Sequence, residues 1–406
     1  MLCGLDQLSG NQANAVRRRL REARVGVLTH AAACNRRGRQ TVDALDELGA
    51  APSIVFTPEH GYYGVAQAEE PVDAPAVIDE RGPRLVSLYG AKREQLAPRD
   101  DDLEQLDLLV IDLVDIGSRY YTYVWAALLA ARAAAKRGLH TLVLDRPNPI
   151  GADPRSVEGA PQADGFLSYV GLEPVPVRHC LTLGELLCLF FERDGNPLGA
   201  DGSLSVVPTQ GWERQRTAQA WGQPFIAPSP NMPTLETALV YPGGCLLEGT
   251  NLSEGRGTTL PFQLLGAPFL DGKQLAKDLG DSGGALGALI RPTEFRPSFD
   301  KHAGQICRGV AVHVTHPSMF HPVATYLRLI SLARRQAPDA FGFRSTPYEF
   351  EHERPAFDLL TGSATARELI SEGATPEDVV HAICPVDPSY REVLAQAEQR
   401  LAKARA

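Results

Sequence analysis

The chain has 406 residues, of which 44% are hydrophobic and 22% charged, proportions that exclude a disordered or fibrous protein and leave room for two or three domains or one large one. Forty basic against forty-nine acidic residues give a net charge of −9, which argues against broad binding to nucleic acid or an anionic membrane. No apolar run approaches the roughly 18 residues of a membrane span. The amino terminus as written shows no basic start, apolar stretch and cleavage site in succession, so the expectation is a cytoplasmic chain, or a periplasmic or secreted one if the true start lies further upstream. Seven scattered cysteines without a CxxC pair read as buried thiols in a reducing compartment, not as a disulfide framework.

In chain order, Asn11 to Ala23 has helical spacing and Val25 to Thr29 is a short apolar strand. Val42, Leu45 and Leu48 recur at helical spacing before a second strand, Ser53 to Phe56, and Leu85 to Leu88 supplies a weaker third. Leu108 to Ile111 is wholly apolar, as expected of a strand covered on both faces of a parallel sheet. A helix over Val124 to Arg137 stops at Gly138, and Thr141 to Leu144 is the next buried strand. Leu183 to Arg193 reads as a helix capped by Thr182 with Glu185 three residues on. Beyond a turn-rich band at Pro224 to Pro233, Val310 to Val314 alternates like a half-buried strand and Val323 to Arg335 like a helix. The alternation predicts an α/β fold: a Rossmann-like, doubly wound, mostly parallel sheet over residues 1–235, followed by a smaller α+β domain over residues 236–406.

In such a sheet, ligands gather at the carboxyl ends of the strands. The residues that follow the predicted strands are Thr29-His30, then Pro58-Glu59-His60-Gly61, then Asp112, Asp115 and Arg119 to Tyr123, then Asp145-Arg146-Pro147-Asn148. Four consecutive loops rich in ionisable groups face one rim, and Glu59, on a turn bounded by proline and glycine beside tyrosines, suits either a proton donor or an acceptor of backbone hydrogen bonds that steadies the loop. Tyr121 and Tyr123 suit either a stacking wall for a ring or core packing, and Arg146 either a scaffold ion pair or a grip on a carboxylate. The segment Leu246 to Thr258 brings Glu248, Asn251, Glu254 and Arg256 into one polar, glycine-rich loop.

Three other patterns fail on context. Gly280 to Gly284 spells the nucleophile string of chymotrypsin-like proteases, but strand–helix alternation excludes two β-barrels. His313, His316 and His321 lack the spacing of a zinc site. Neither a G-x-G-x-x-G after a strand nor a P-loop occurs, so the sheet is not an evident dinucleotide or ATP binder. No metal and no cofactor are expected.

Taken together, Pro58-Glu59-His60-Gly61, Asp112 to Tyr123 (DLVDIGSRYYTY), Asp145 to Pro149 (DRPNP), Val157-Glu158-Gly159, Arg178 to Leu186, Pro228 to Thr234 (PSPNMPT), Glu248 to Thr258 (EGTNLSEGRGT), Gly266-Ala267-Pro268 and Phe357 to Ser363 resemble the exo-β-N-acetylmuramidase (NamZ-type) family of peptidoglycan glycosidases. The resemblance implies removal of terminal N-acetylmuramic acid from the non-reducing end of muropeptides or disaccharides, with Glu59 as general acid and without metal or nucleotide. Glycoside hydrolysis ordinarily uses a second carboxylate; Glu158 leads, ahead of Asp115, Glu248 and Glu254. The lactyl group of the sugar calls for a cation, for which Arg119, Arg146 and Arg256 are the candidates. His30, His60, Asp115, Tyr121, Tyr123, Asp145, Asn148, Asn231, Glu248 and Asn251 complete the expected substrate-binding set. His30 and Val114 stand where the family pattern has amides, which leaves a non-catalytic muropeptide-binding protein as the alternative. An esterase or amidase built on Cys34 beside His30 is a weaker third reading.

Overall fold

The computed structural model describes residues 1–10, 13–72, 82–345, 347–385 and 388–406. Six parallel strands, β1 (Val25–Thr29), β2 (Ile54–Thr57), β3 (Arg84–Ser87), β4 (Leu108–Asp112), β5 (His140–Leu144) and β6 (Leu204–Val207), lie in the order β3-β2-β1-β4-β5-β6. This is the doubly wound arrangement expected from the sequence, and its order reverses between β1 and β4. The sheet's sixth strand, Leu-Ser-Val-Val, had no signal of its own; it is recruited by pairing Thr141 to Leu144 with Leu204 to Val207. The first predicted helix is found at Asn14–Glu22, while Asn11 and Gln12 lie outside the described residues.

The two-residue period of the strands separates their side chains cleanly. Val25, Val27, Val55, Leu108, Val110, Leu142 and Leu144 pack on one face with Leu20 and Leu45. Leu28, Phe56, Leu109, Ile111, Val143 and Val206 pack on the other with Trp125, Leu128 and Phe190, from the helices Tyr123–Lys136 and Leu183–Arg193. Thr182 caps the latter helix as its sequence predicts, its hydroxyl accepting from the Glu185 amide while the Glu185 carboxylate accepts from the Thr182 amide.

A smaller antiparallel sheet follows, with β7 (Leu264–Ala267), β8 (Ala288–Phe295) and β9 (Cys307–Val314) in the order β7-β9-β8. The alternation read over Val310 to Val314 does not survive: Gly309, Val310, Ala311 and Val312 are all buried, because β9 is the central strand and both of its faces are covered. Gly280 to Gly284 ends the helix Gly272–Asp281 and forms no catalytic turn. The second core face runs on without a break into Leu265, Val310, Val312 and the helix Pro322–Gln336. Gly243 makes that contact feasible, since a Cβ there would lie 2.1 Å from the Pro322 carbonyl oxygen.

Several candidate site residues hold this architecture together. Glu158, the leading second carboxylate in the sequence, is 2% exposed and accepts a 2.6 Å hydrogen bond from the Ala324 amide in the first turn of the helix Pro322–Gln336. That helix has no side-chain cap of its own, so Glu158 satisfies an otherwise orphaned donor from across the chain. Burial pushes its carboxyl up to about 7, against the opposing pull of the Ala324 amide and Arg178. Asp145 accepts from the Thr182 hydroxyl and the Gly184 amide at 2.8 Å each, and Asn148 donates to the Leu181 carbonyl. Arg119, 1% exposed, spends its guanidinium on the carbonyls of Ala160, Val175 and Leu360. Glu158→Ala, which strands the Ala324 amide, is expected to cost about 1–3 kcal/mol of stability, measured as a lower urea midpoint, while turnover by the folded fraction stays within a few-fold of native. Loss of turnover at unchanged stability would return Glu158 to the catalytic set.

Candidate active site

Glu59 sits just past the end of β2 on the turn that its sequence suggests. The Gly61 amide bonds back to the Pro58 carbonyl, and His60 and Gly61 both adopt left-handed φ, 70° and 76°. The carboxyl points inward and is 5% exposed. Its Oε2 accepts a 2.6 Å hydrogen bond from the Thr122 hydroxyl, and its Oε1 accepts from the Glu69 amide at 3.4 Å. Thr122 stands at the N-cap of the helix Tyr123–Lys136 but makes no side-chain cap; its hydroxyl serves Glu59 instead of the helix.

Around Glu59 is an inner chamber of about 40 Å³, lined among others by Tyr121, Asn231, Tyr241, Arg256, Tyr348 and Glu349. It has room for a few ordered waters and is too small for a pyranose ring. An outer chamber of about 450 Å³ adjoins it, and Ala68, Glu248 and Arg256 line both. Of the two, only the outer space is large enough for a sugar-sized ligand.

Glu349 is the second carboxyl of the inner chamber. It is 7% exposed and accepts a 3.0 Å hydrogen bond from the Tyr89 hydroxyl. Burial first, then the charges of Glu59 and Glu69, push its carboxyl well above the usual range, as expected of a buried carboxyl with like charges nearby. Between the chambers, Glu248 is clamped by Arg256 at 2.6 Å and by the Tyr348 hydroxyl at 2.6 Å. Arg256 also reaches Glu254 at 3.2 Å and stacks over Phe262, 5.1 Å from its centroid. Tyr121 packs edge-on to Tyr241, which packs in turn on Phe262, forming an aromatic wall.

Eight non-glycine residues among those described have left-handed φ, and five of them, His60, Glu69, Phe262, Asp300 and Glu349, line these two chambers. Each such residue costs on the order of 1–3 kcal/mol and persists only where its surroundings enforce it.

The structure thus brings Glu59, His60, Tyr121, Asn231, Glu248 and Arg256 together at one cavity, and places the remaining expected residues elsewhere. His60 bonds the Ala66 carbonyl through Nδ1, and Asn231 donates to Gln67. Tyr123 is fully buried behind the wall, its hydroxyl donating to the Pro228 carbonyl. His30 lies behind it, edge-on to Tyr123, with Nε2 accepting from the Val114 amide at 3.1 Å. Burial, helped by Arg146 and His60, pushes this imidazole down to about 3 and keeps it neutral. Asp115 is buried, accepts from the Gly117 amide and lies 3.7 Å from His179 Nε2. Asn251 ties Ala340 to Gly342.

Of the three candidate cations only Arg256 lines the site. Arg146 is bidentate to Asp112, bonds the Cys34 carbonyl, and lines a separate cavity of about 120 Å³ with Cys34, Val114, Trp221 and Phe225. Cys34 has its thiol pushed up by burial, while the His30 Nε2 is committed to Val114, so the nucleophile–base pair that an esterase needs is not formed between them. Glu349, Tyr348, Tyr241, Glu69 and Arg344 were not anticipated; Tyr348-Glu349 lies in an irregular stretch whose only sequence signal is its polarity.

Models of the two domains of the exo-β-N-acetylmuramidase NamZ family match residues 25–236 (N-terminal) and 239–397 (C-terminal). The peptidoglycan β-N-acetylmuramidase NamZ of Bacillus subtilis (strain 168) is 37% identical over 385 residues, covering 94% of this chain and 86% of its own. Two crystal structures of DUF1343 family proteins from Bacteroides fragilis NCTC 9343 share the fold. One has a TM-score of 0.81 at 28% identity over 99% of this chain and 98% of its own; the other has 0.70 at 23% over 100% and 99%. The chain belongs to the exo-β-N-acetylmuramidase NamZ family and is, by that membership, a glycosidase.

Proposed function

We propose that the chain removes a terminal N-acetylmuramic acid from the non-reducing end of peptidoglycan fragments, with Glu59 delivering the proton to the departing glycosidic oxygen and Glu349 as its partner carboxyl. The Bacillus subtilis relative, similar over nearly the whole chain, supports the substrate class. The observation that carries the residue assignment is the pair itself: Glu59 and Glu349 line one water-sized chamber that adjoins a sugar-sized one.

Two carboxyls lining one small chamber resist joint ionisation, because the second charge would stand beside the first with little water around it, and the raised carboxyl of Glu349 is the one that keeps a proton. Passed to Glu59, that proton is the one the reaction needs. As the bond between C1 and the glycosidic oxygen lengthens, Glu59 transfers it to the leaving oxygen, and the ionised partner faces the positive charge that develops at C1. A water in the inner chamber supplies the hydroxyl that C1 finally takes, and its proton restores the pair. Thr122 and the Glu69 amide fix the direction in which the Glu59 carboxyl presents itself.

Glu59→Gln keeps the shape and removes the proton donor. It is expected to lower kcat on an aryl β-N-acetylmuraminide about 10²–10⁴-fold without shifting the thermal midpoint; unchanged release of the aryl group would refute the assignment. Glu349 is tested by the alkaline limb of the pH–rate profile, which reports ionisation of its raised carboxyl. In the native chain that limb lies well above the ordinary carboxyl range. In Glu349→Gln the raised carboxyl is gone, so the alkaline limb of the residual activity moves to lower pH. A limb that stays in place would remove Glu349 from the pair.

A further inference from the structure

N-acetylmuramic acid differs from N-acetylglucosamine by one group, a lactyl ether on O3 that ends in a carboxylate. A site that selects it therefore needs a cation able to reach that carboxylate alone. The cations lining the outer chamber are Arg256, Lys301 and Arg344. Arg256 is deeply buried and held by Glu248 and Glu254. Lys301 has three N–H donors and three acceptors for them, the carbonyls of Leu247 and Thr250 and the Glu254 carboxylate at 2.7 Å. Neither can turn to a ligand without stranding a buried charge.

Arg344 is placed differently. It pairs with Glu69 through both guanidinium ends, at 3.0 and 3.5 Å, its Nη2 also donating to the Pro347 carbonyl at 3.3 Å, and the two side chains are 31% and 34% exposed. Its backbone amide is pinned to the Gly249 carbonyl, and its guanidinium lies over the Tyr348 ring, 5.3 Å from the centroid. The fork is thus held in place, while the carboxylate it grips is about one-third exposed. An incoming carboxylate can take the same bidentate geometry, exchanging one anion for another at little electrostatic cost.

Glu69 gives this exchange its second role. Its φ of 61° is left-handed, and in that conformation its amide reaches Glu59 Oε1 while its carboxylate reaches Arg344. One residue therefore links the proton donor to the cation.

We propose that Arg344 is the anchor for the lactyl carboxylate, and that Glu69 occupies it until substrate displaces it. This inference rests on the function proposed above and names the residue that sets its specificity. The experiment compares an aryl β-N-acetylmuraminide with its uncharged lactyl-amide analogue, so that each variant carries its own control for folding. The native chain prefers the acid. In Arg344→Ala that preference, as the ratio of kcat/KM values, falls about 10–100-fold toward unity. Glu69→Gln, which weakens the competing anion and keeps the amide to Glu59, raises the preference by lowering KM for the acid. An Arg344→Ala chain that still prefers the acid as strongly as native, or a Glu69→Gln chain with weaker preference, overturns the assignment. Should the native chain turn over neither substrate, the proposed function falls, and the anchor is then decided by calorimetry with N-acetylmuramic acid against N-acetylglucosamine. Loss of the difference in Arg344→Ala supports it, and retention overturns it.

Discussion

Two carboxyl groups sharing a chamber of a few water volumes form the constraint around which the rest of the rim is arranged. Left alone, Glu59 and Glu349 would repel one another and draw in solvent. The structure opposes this with donors aimed at particular oxygens: Thr122 and the Glu69 amide at Glu59, and the Tyr89 hydroxyl at Glu349. The neighbouring charges are neutralised in place, Glu248 by Arg256 and Tyr348, and Glu254 by Arg256 and Lys301. Buried networks of this kind are stable only when their members are satisfied, so the aromatic wall and the ion pairs act as one unit with the carboxyls they surround.

How far the sequence disclosed this depended on whether a signal was local. The strands β1, β2, β4 and β5 could be read because a fully covered parallel strand is a short apolar run, while the half-buried edge strand β3 gave a weaker signal, and Thr182 with Glu185 could be read because a capping box is complete within four residues. Glu59 was legible for the same reason: it follows a strand directly, where the topology puts ligands. Glu349 was not, because nothing within its own stretch marks it. Only packing of the carboxyl-terminal half against the rim places it opposite Glu59. The strand β6 and the burial of β9 were hidden likewise, since both depend on neighbours distant in sequence.

The misplaced arginines and carboxylates teach a different lesson. A guanidinium after a strand end is suited equally to a substrate carboxylate and to backbone carbonyls that the loops leave without donors. Arg119 took the second use, Arg146 is held mainly by the Asp112 carboxylate, and Glu158 and Asp145 serve orphaned amides at helix starts. Residue type and position on the rim do not separate these outcomes. Burial does, because a charge sealed away from water serves whatever is sealed in with it.

The left-handed residues around the chambers carry a consequence for engineering. His60, Glu69, Phe262, Asp300 and Glu349 hold side chains where glycine would relax the backbone, and Thr122 gives up a helix cap to reach Glu59. Heat resistance in this enzyme is therefore still to be had at positions that line the candidate site. A selection for thermostability alone would drift toward glycine and restored caps there, producing a sturdier protein that has forgotten its chemistry.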